Sequence, residues 1–290
     1  MGKKKSKLSL LWRNIKYLMR VDLRLELGDF GGARAKLADL LKGTRPPAIR
    51  DFEETANILA ETDASLARFG DGEFALIEGR GIAFQRADAG LARRLGEILR
   101  HPPAGCEIAI PRVGWFMDAR LRPDDHAWWF RFMREKGAFV ESLLDPARTY
   151  CDTYVSQFTQ ATVATYDCGA LFARLRRIWD GRDILIVCGK GIFDGFKYDV
   201  FDNARSVAFV HGPRRDAFSD YDALLARVKA AAQGRLVLLV LGPTATVMAA
   251  DLAAAGIRAL DLGHLAKAYN AFRSGAATDA PANKKFYRAD

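Results

Sequence analysis

Long apolar runs are missing from this sequence, and no stretch approaches the ~20 residues needed to span a bilayer, so a transmembrane helix is not expected. The opening, MGKKKSKLSLLWRNIKYLMRVDLRLEL, is not a secretory signal, because its apolar run, Leu8 to Trp12, is short and is followed by more charge. Cysteine is scarce: Cys106, Cys151, Cys168 and Cys188 form no CxxC pair and have no neighbouring His at zinc spacing. That excludes a zinc ribbon and predicts reduced, mostly buried thiols in a reducing compartment. Four histidines are too few to argue a Ser-His-Asp order, and no GxSxG occurs. No internal repeat or low-complexity tract is present. The main domain has no nucleic-acid-binding motif and no regular basic stripe, so nucleic acid is not the expected partner.

What is present is a chain of 290 residues, half of them hydrophobic, with a formal net charge of +9. Such a chain can bury a sizeable core, and its basic balance favours anionic partners such as acidic lipid or phosphate-bearing small molecules. The excess of charge is concentrated at the start. Leu8, Leu11, Trp12, Ile15, Leu18 and Met19 recur at helical spacing, while Lys7, Arg13, Lys16 and Arg20 fall mostly on other faces. A basic amphipathic helix in residues 1–24 suits peripheral contact with an anionic membrane. It equally suits docking on its own domain or on a second copy in a homo-oligomer. Gly2 and Ser6 fit the loose myristoylation pattern. Residues 32–61 read as two helices broken at Gly43–Pro47, which divides the chain into a basic helical extension, 1–47, and a main domain, 48–290.

From residue 63 short apolar runs alternate with helical stretches. Ser65–Phe69, Glu107–Ile110, Asp183–Cys188, Arg205–Val210, Leu236–Leu241 and Ile257–Leu262 read as strands. Asp88–Arg100, 126–144, 169–179, Tyr221–Gln233 and a stretch reaching about Ala255 read as helices. Strands that are apolar throughout are covered on both faces, and strand, Gly turn, helix, strand is a βαβ unit. The expected fold class is α/β, a Rossmann-like doubly wound, mostly parallel sheet, with ligands at the carboxyl ends of the strands.

Four segments stand at those ends. In Arg68-Phe69-Gly70-Asp71-Gly72-Glu73 two carboxylates lie two residues apart after a strand, where both can face one Mg2+ or Mn2+ ion. Gly70 permits close approach of a ligand, and Arg68 can neutralise a phosphate. The same tripeptide also suits an ordinary helix start. Gly242-Pro243-Thr244-Ala245-Thr246 opens a helix after a buried strand and offers N–H groups to a phosphate, with Thr244 as a competing N-cap. Gly189-Lys190-Gly191 resembles a dinucleotide turn, but Asp194 stands where the third Gly belongs. His264, after Asp261-Leu262-Gly263, can hydrogen-bond a substrate or act as a base.

Taken together, SLARFGDGEFALIEGRGIAFQ (65–85), CGKGIFDGFKYDVFDNARS (188–206), RRDAFSDYDALL (214–225), LGPTATVMAADLAAAG (241–256) and ALDLGH (259–264) resemble, in order, the blocks of the GT-D fold glycosyltransferases, first catalogued as a domain of unknown function. The likeness covers roughly residues 60–272. It implies a Rossmann-like fold and sugar transfer from a nucleotide-diphosphate sugar, typically uridine-based, to a glycan, glycolipid or glycoprotein acceptor. It also implies an Asp-x-Glu metal motif, which falls here on Asp71 and Glu73. In that family the block containing Ala217-Phe218-Ser219 usually opens with Asn, where this chain has Asp216. The expected mechanism is metal-assisted departure of the nucleotide diphosphate. Gly70, Gly189, Lys190, Gly242, Pro243, Thr244, Thr246 and Arg68 would hold the donor, and His264, Asp216, Asp220 or Asp222 would activate the acceptor. The rivals are a metal-dependent hydrolase and a non-enzymatic nucleotide- or phospholipid-binding module. The expected location is the cytoplasm, with the inner membrane face as a peripheral site.

Overall fold

In a computed structural model the structure describes residues 46–275. The expected N-terminal amphipathic helix and the myristoylation pattern lie outside the described residues. Those described divide into two compact units.

The larger unit carries an eight-stranded sheet in the order β1-β4-β3-β2-β8-β7-β5-β6. Its strands are β1 (Ala48–Ile49), β2 (Ser65–Arg68), β3 (Cys106–Ile110), β4 (Thr149–Asp152), β5 (Asp183–Gly189), β6 (Ser206–Gly212), β7 (Leu236–Val240) and β8 (Ala259–Asp261). All pairings from β4 through to β6 are parallel. The half built from residues 48–152 meets the half built from 183–261 at the β2–β8 junction, where Leu66 lies opposite Leu260.

The strands of β2, β5 and β7 are buried almost throughout, because helices cover both faces. β6 departs from this. Among the described residues it is the outer strand, and Phe209 and Val207 on it are exposed.

The helices follow local signals. In α1 (Phe52–Glu61) the Asp51 carboxylate accepts N–H bonds from Glu53 and Glu54, and Glu54 accepts the N–H of Asp51 in return, a reciprocal capping box. Phe52, Ala56 and Leu59 form the buried face of α1. Asp88 caps α3 (Ala89–Arg100) through the N–H of Leu91, and Leu91, Leu95, Ile98 and Leu99 face inward. Between these, Asp71–Ile77 is a short helix, α2.

The smaller unit contains Arg112–Arg148 and Ala161–Tyr166. Its main element is α4 (Pro123–Leu143), where Trp128 stacks on Phe132 and Trp129 meets both edge-on. Arg120 forms a bidentate pair with Asp118, and His126 Nε2 lies 3.0 Å from the Asp118 carbonyl.

The larger unit is completed by α5 (Phe158–Ala161), α6 (Cys168–Arg176), α7 (Tyr221–Ala232), α8 (Pro243–Ala254) and α9 (Leu265–Ser274). α8 is the central helix, buried over nearly its whole length and packed on β2, β7 and β8. All four cysteines are free thiols, as expected. Burial pushes the Cys106 and Cys151 thiols up to about 12, so they stay protonated and inert.

Candidate active site

The carboxyl ends of β2, β8, β7 and β5 stand side by side and bring together most of the expected site residues. After β2, Gly70 is the N-cap of α2, which puts Asp71 at its first position and Glu73 at its third. Glu73 Oε2 accepts the Gly70 N–H at 2.7 Å. The helix-start reading of this segment therefore holds, and it leaves the second Glu73 oxygen and the Asp71 carboxylate for other work. Burial raises both groups, and Glu73 reaches about 7 because the nearby charges of Asp261 and Asp71 add to burial against the bond from Gly70. Around Glu73, burial is thus joined by the negative charge of two neighbouring aspartates.

Arg68 is engaged within the fold by Asp261. Its Nε donates to the Asp261 carbonyl at 2.8 Å and its Nη2 to Asp261 Oδ1 at 2.9 Å. Both partners are almost fully buried. Gly263, at φ +42°, lies against this guanidinium, and a Cβ there would stand 2.1 Å from Nη2.

Thr246 is likewise engaged: its hydroxyl donates to the Arg68 carbonyl at 2.9 Å and ties α8 to β2. Thr244 is fully buried, and its hydroxyl has no hydrogen-bond partner and does not cap the helix.

The turn between β7 and α8 keeps its expected form. Gly242 adopts φ +54° and ψ −143°, and Pro243 opens the helix, where its missing N–H costs nothing. Phe84 sits directly on this turn, because a Cβ at Gly242 would lie 2.6 Å from Phe84 Cε2. The positive dipole end of α8 thus emerges beside an aromatic ring.

At the end of β5, Lys190 is exposed, and Gly189 packs against Arg214, whose Cα would lie 3.1 Å from a Cβ at 189. Asp216 is the one non-glycine residue at positive φ among those described, at φ 50°, a region that Asp and Asn tolerate best. Its carboxylate accepts the Arg86 N–H at 2.6 Å and pairs with the Arg86 guanidinium at 2.9 Å. Its own N–H donates to the Phe84 carbonyl at 2.9 Å. Both side-chain roles are those of an acceptor, so Asp serves where an amide was expected, and it locks the Ile82–Arg86 loop over the β7–α8 turn.

The two candidate proton acceptors fare poorly. Asp220 is surface-exposed and ion-paired with Arg227 at 3.4 Å. His264 caps the start of α9 beside Gly263, and burial, with the charges of Arg68 and Lys267, lowers it to about 3. It is neutral at pH 7 and a weak base, suited to hydrogen bonding.

Asp261, Phe84, Arg214 and the structural role of Asp216 were not read from the sequence. All four lie inside the resembled blocks, but their contacts join segments far apart along the chain.

A model of the family described as "Glycosyltransferase GT-D fold" matches residues 66–289. A probable glycosyl transferase Gly of Streptococcus gordonii is 33% identical over 234 residues, covering 80% of this chain and 34% of that protein. The glycosyltransferase GlyD of Streptococcus pneumoniae serotype 4 is 31% identical over 237 residues, covering 79% of this chain and 28% of its own length. The chain thus spans about a third of the curated relatives it matches. Among solved structures, a glycosyltransferase (DUF1792) from Streptococcus sanguinis superposes with a TM-score of 0.76 at 32% identity, covering 81% of this chain and 88% of that one. A structure of domain of unknown function 1792, described as a distinct glycosyltransferase fold, gives 0.75 at 32% identity, covering 80% and 83%.

Proposed function

The chain belongs to the GT-D fold glycosyltransferase family, and on that basis we propose that it moves a sugar from a nucleotide-diphosphate sugar, uridine-based, to a hydroxyl of a glycan, glycolipid or glycoprotein acceptor. The observation that carries this reading is the presence of two acids on the first turn of α2 and of the Gly242–Thr246 turn at the carboxyl ends of β2 and β7, the two strands that flank β8.

Asp71 and Glu73 suit a Mn2+ or Mg2+ ion. They are hard oxygen donors; burial raises both, and on Glu73 the charges of Asp261 and Asp71 add to it, a local negative charge that a divalent cation would offset. Among the described residues no group of three or more His, Cys, Asp or Glu side chains forms a metal cluster. A pair of carboxylates is the usual protein share for magnesium, with substrate phosphates completing the shell. When bound, the metal neutralises the charge that builds on the departing diphosphate.

The chain's own residues do the rest. The N-terminal turn of α8 binds phosphate through its dipole. Phe84 presses on that turn and shields one side of it from water, while Lys190 offers an exposed positive charge at the end of β5. Arg68 and Asp261 fix the floor between β2 and β8. His264, held neutral, is placed to hydrogen-bond rather than to take a proton.

The test is a screen of nucleotide sugars for thermal stabilisation with manganese, followed by turnover of any hit with and without acceptor. Acceptor-dependent transfer supports the reading. Equal turnover without acceptor would make the chain a hydrolase, and binding without turnover a binding module.

Among the described residues no helix is long and apolar enough to cross a membrane. Contact with an anionic membrane through residues 1–24 remains part of the proposal, since each Lys or Arg there adds up to ~1 kcal/mol near such a surface. Sedimentation of the full chain and of a chain lacking residues 1–24 with anionic vesicles tests it. Equal binding by the two would exclude the role.

A further inference from the structure

Four adjacent strands of the larger unit share a feature at the end opposite the candidate active site. β5, β6, β7 and β8 are each entered through an arginine, Arg182, Arg205, Arg235 and Arg258 respectively. Because the strands are parallel and neighbouring, these side chains collect along the amino edge of the sheet, where they line a recess of about 410 Å3 with Asp63 and Asp183. That volume falls within the roughly 300–1,000 Å3 of small-molecule sites. Four arginines against two aspartates leave a surplus of two positive charges.

Part of this charge has an ordinary structural use. Arg258 donates to the carbonyls of Leu59 and Ala64, and Arg235 Nη1 to that of Ala231, which satisfies the ends of α1 and α7. Arg205 holds Asp183 in a bidentate ion pair, and the Ser206 hydroxyl donates to the same carboxylate. Arg182 and part of Arg235 are less firmly engaged. Arg182 and Arg258 both approach one oxygen, Asp63 Oδ1, at 3.8 and 3.5 Å, and that carboxylate is largely in solvent. Arg235 Nε is buried and has no hydrogen-bond partner. The proximity of Arg182 also lowers Arg258, after burial, as expected of like charges held close.

We infer that this recess is an anion site that binds a phosphate group, free or carried on a small organic molecule, through Arg182, Arg205 and Arg235, with Asp63 and Asp183 as the internal counter-ions that the ligand displaces. Guanidinium groups lining one recess from separate strands suit the acceptor-rich geometry of phosphate. The inference does not depend on the sugar-transfer reading.

The experiment measures thermal stabilisation of the full chain by inorganic phosphate and by a small sugar phosphate, at fixed ionic strength against chloride. Stabilisation by both identifies a site for the phosphate group itself, and stabilisation by the sugar phosphate alone identifies an esterified ligand. In either case Arg182→Ala with Arg205→Ala is expected to weaken binding at least about tenfold. Asp63→Asn is expected to tighten it, which mere loss of folding could not produce. Asp71→Asn, at the other end of the sheet, is expected to leave it unchanged. Stabilisation that survives the double arginine variant, that disappears in Asp71→Asn, or that is absent for both ligands at millimolar concentration would overturn the assignment.

Discussion

Arg68 and Asp261 form a buried, two-point pair across the β2–β8 junction, with the guanidinium of one holding both the backbone carbonyl and the carboxylate of the other. This contact joins β2 to β8 close to the paired acids of α2, since the Asp261 charge reaches Glu73. Removing one partner leaves a buried charge uncompensated. Asp261→Ala is therefore expected to lower stability by roughly 3–5 kcal/mol, read as a lower urea midpoint at unchanged slope. A loss below ~1 kcal/mol would mean that the pair is no more than a surface bridge.

Asp71 and Glu73 separate by a different experiment. Asp71→Asn removes charge without touching the α2 cap, so it should leave the melting temperature nearly unchanged while cutting metal-dependent turnover on the order of 100-fold or more. Glu73→Ala should cut turnover as well, and should also cost about 1 kcal/mol of stability, because it deletes the acceptor of the Gly70 N–H. Full activity of either variant, or of the unaltered chain in excess chelator, would remove the metal role.

The β7–α8 turn depends on the absence of a side chain. Gly242→Ala meets both the left-handed φ and the Phe84 ring, an expected cost of roughly 2–3 kcal/mol with a raised KM for the donor. Adding Phe84→Ala should recover the steric part and leave the backbone part. A double-mutant cycle reads the coupling, and strict additivity would show that the ring does not press on the turn.

Stability should fall in mild acid. His126 and His264 are both lowered in the folded chain, His264 to about 3, chiefly by burial. Between their ordinary value near 6.5 and the lowered ones the unfolded chain binds more protons, so unfolding free energy declines as pH drops through that window. Because His264 is partly reached by solvent, its share by pH 5 is on the order of 1–2 kcal/mol. His264→Gln should flatten the slope between pH 6.5 and 5, as followed by chemical denaturation, and an unchanged slope would argue that the imidazole protonates freely.

The fold was readable where local chemistry was one-sided. The apolar runs of β5 and β7 admit only a strand covered on both faces, and Asp88 before Leu91 and Leu95 marks a helix start without ambiguity. β4 escaped because its four residues, Thr149–Asp152, are flanked by polar residues and carry no alternation. The start of α2 is legible as a helix start, but its seven-residue extent is not, because Gly70 and Gly72 beside the two acids mask the helical pattern. The paired acids were visible for the opposite reason, since they sit side by side in sequence. Asp261 was quoted only as part of a strand end, because its importance lies in a partner 193 positions away, and Thr246 looked like a ligand contact until Arg68 claimed its hydroxyl.

Gly263 contributes through what it lacks. The Arg68 guanidinium occupies the volume that any other side chain at 263 would need, so the two positions are not free to vary separately. A lineage that changed residue 263 would first evict the arginine, and the damage would appear on β2 rather than at the altered turn. One that shortened residue 68 would relieve the crowding at 263 but forfeit the counter-charge of Asp261. Heredity can therefore preserve this corner intact or rebuild both ends together, with no viable single step between.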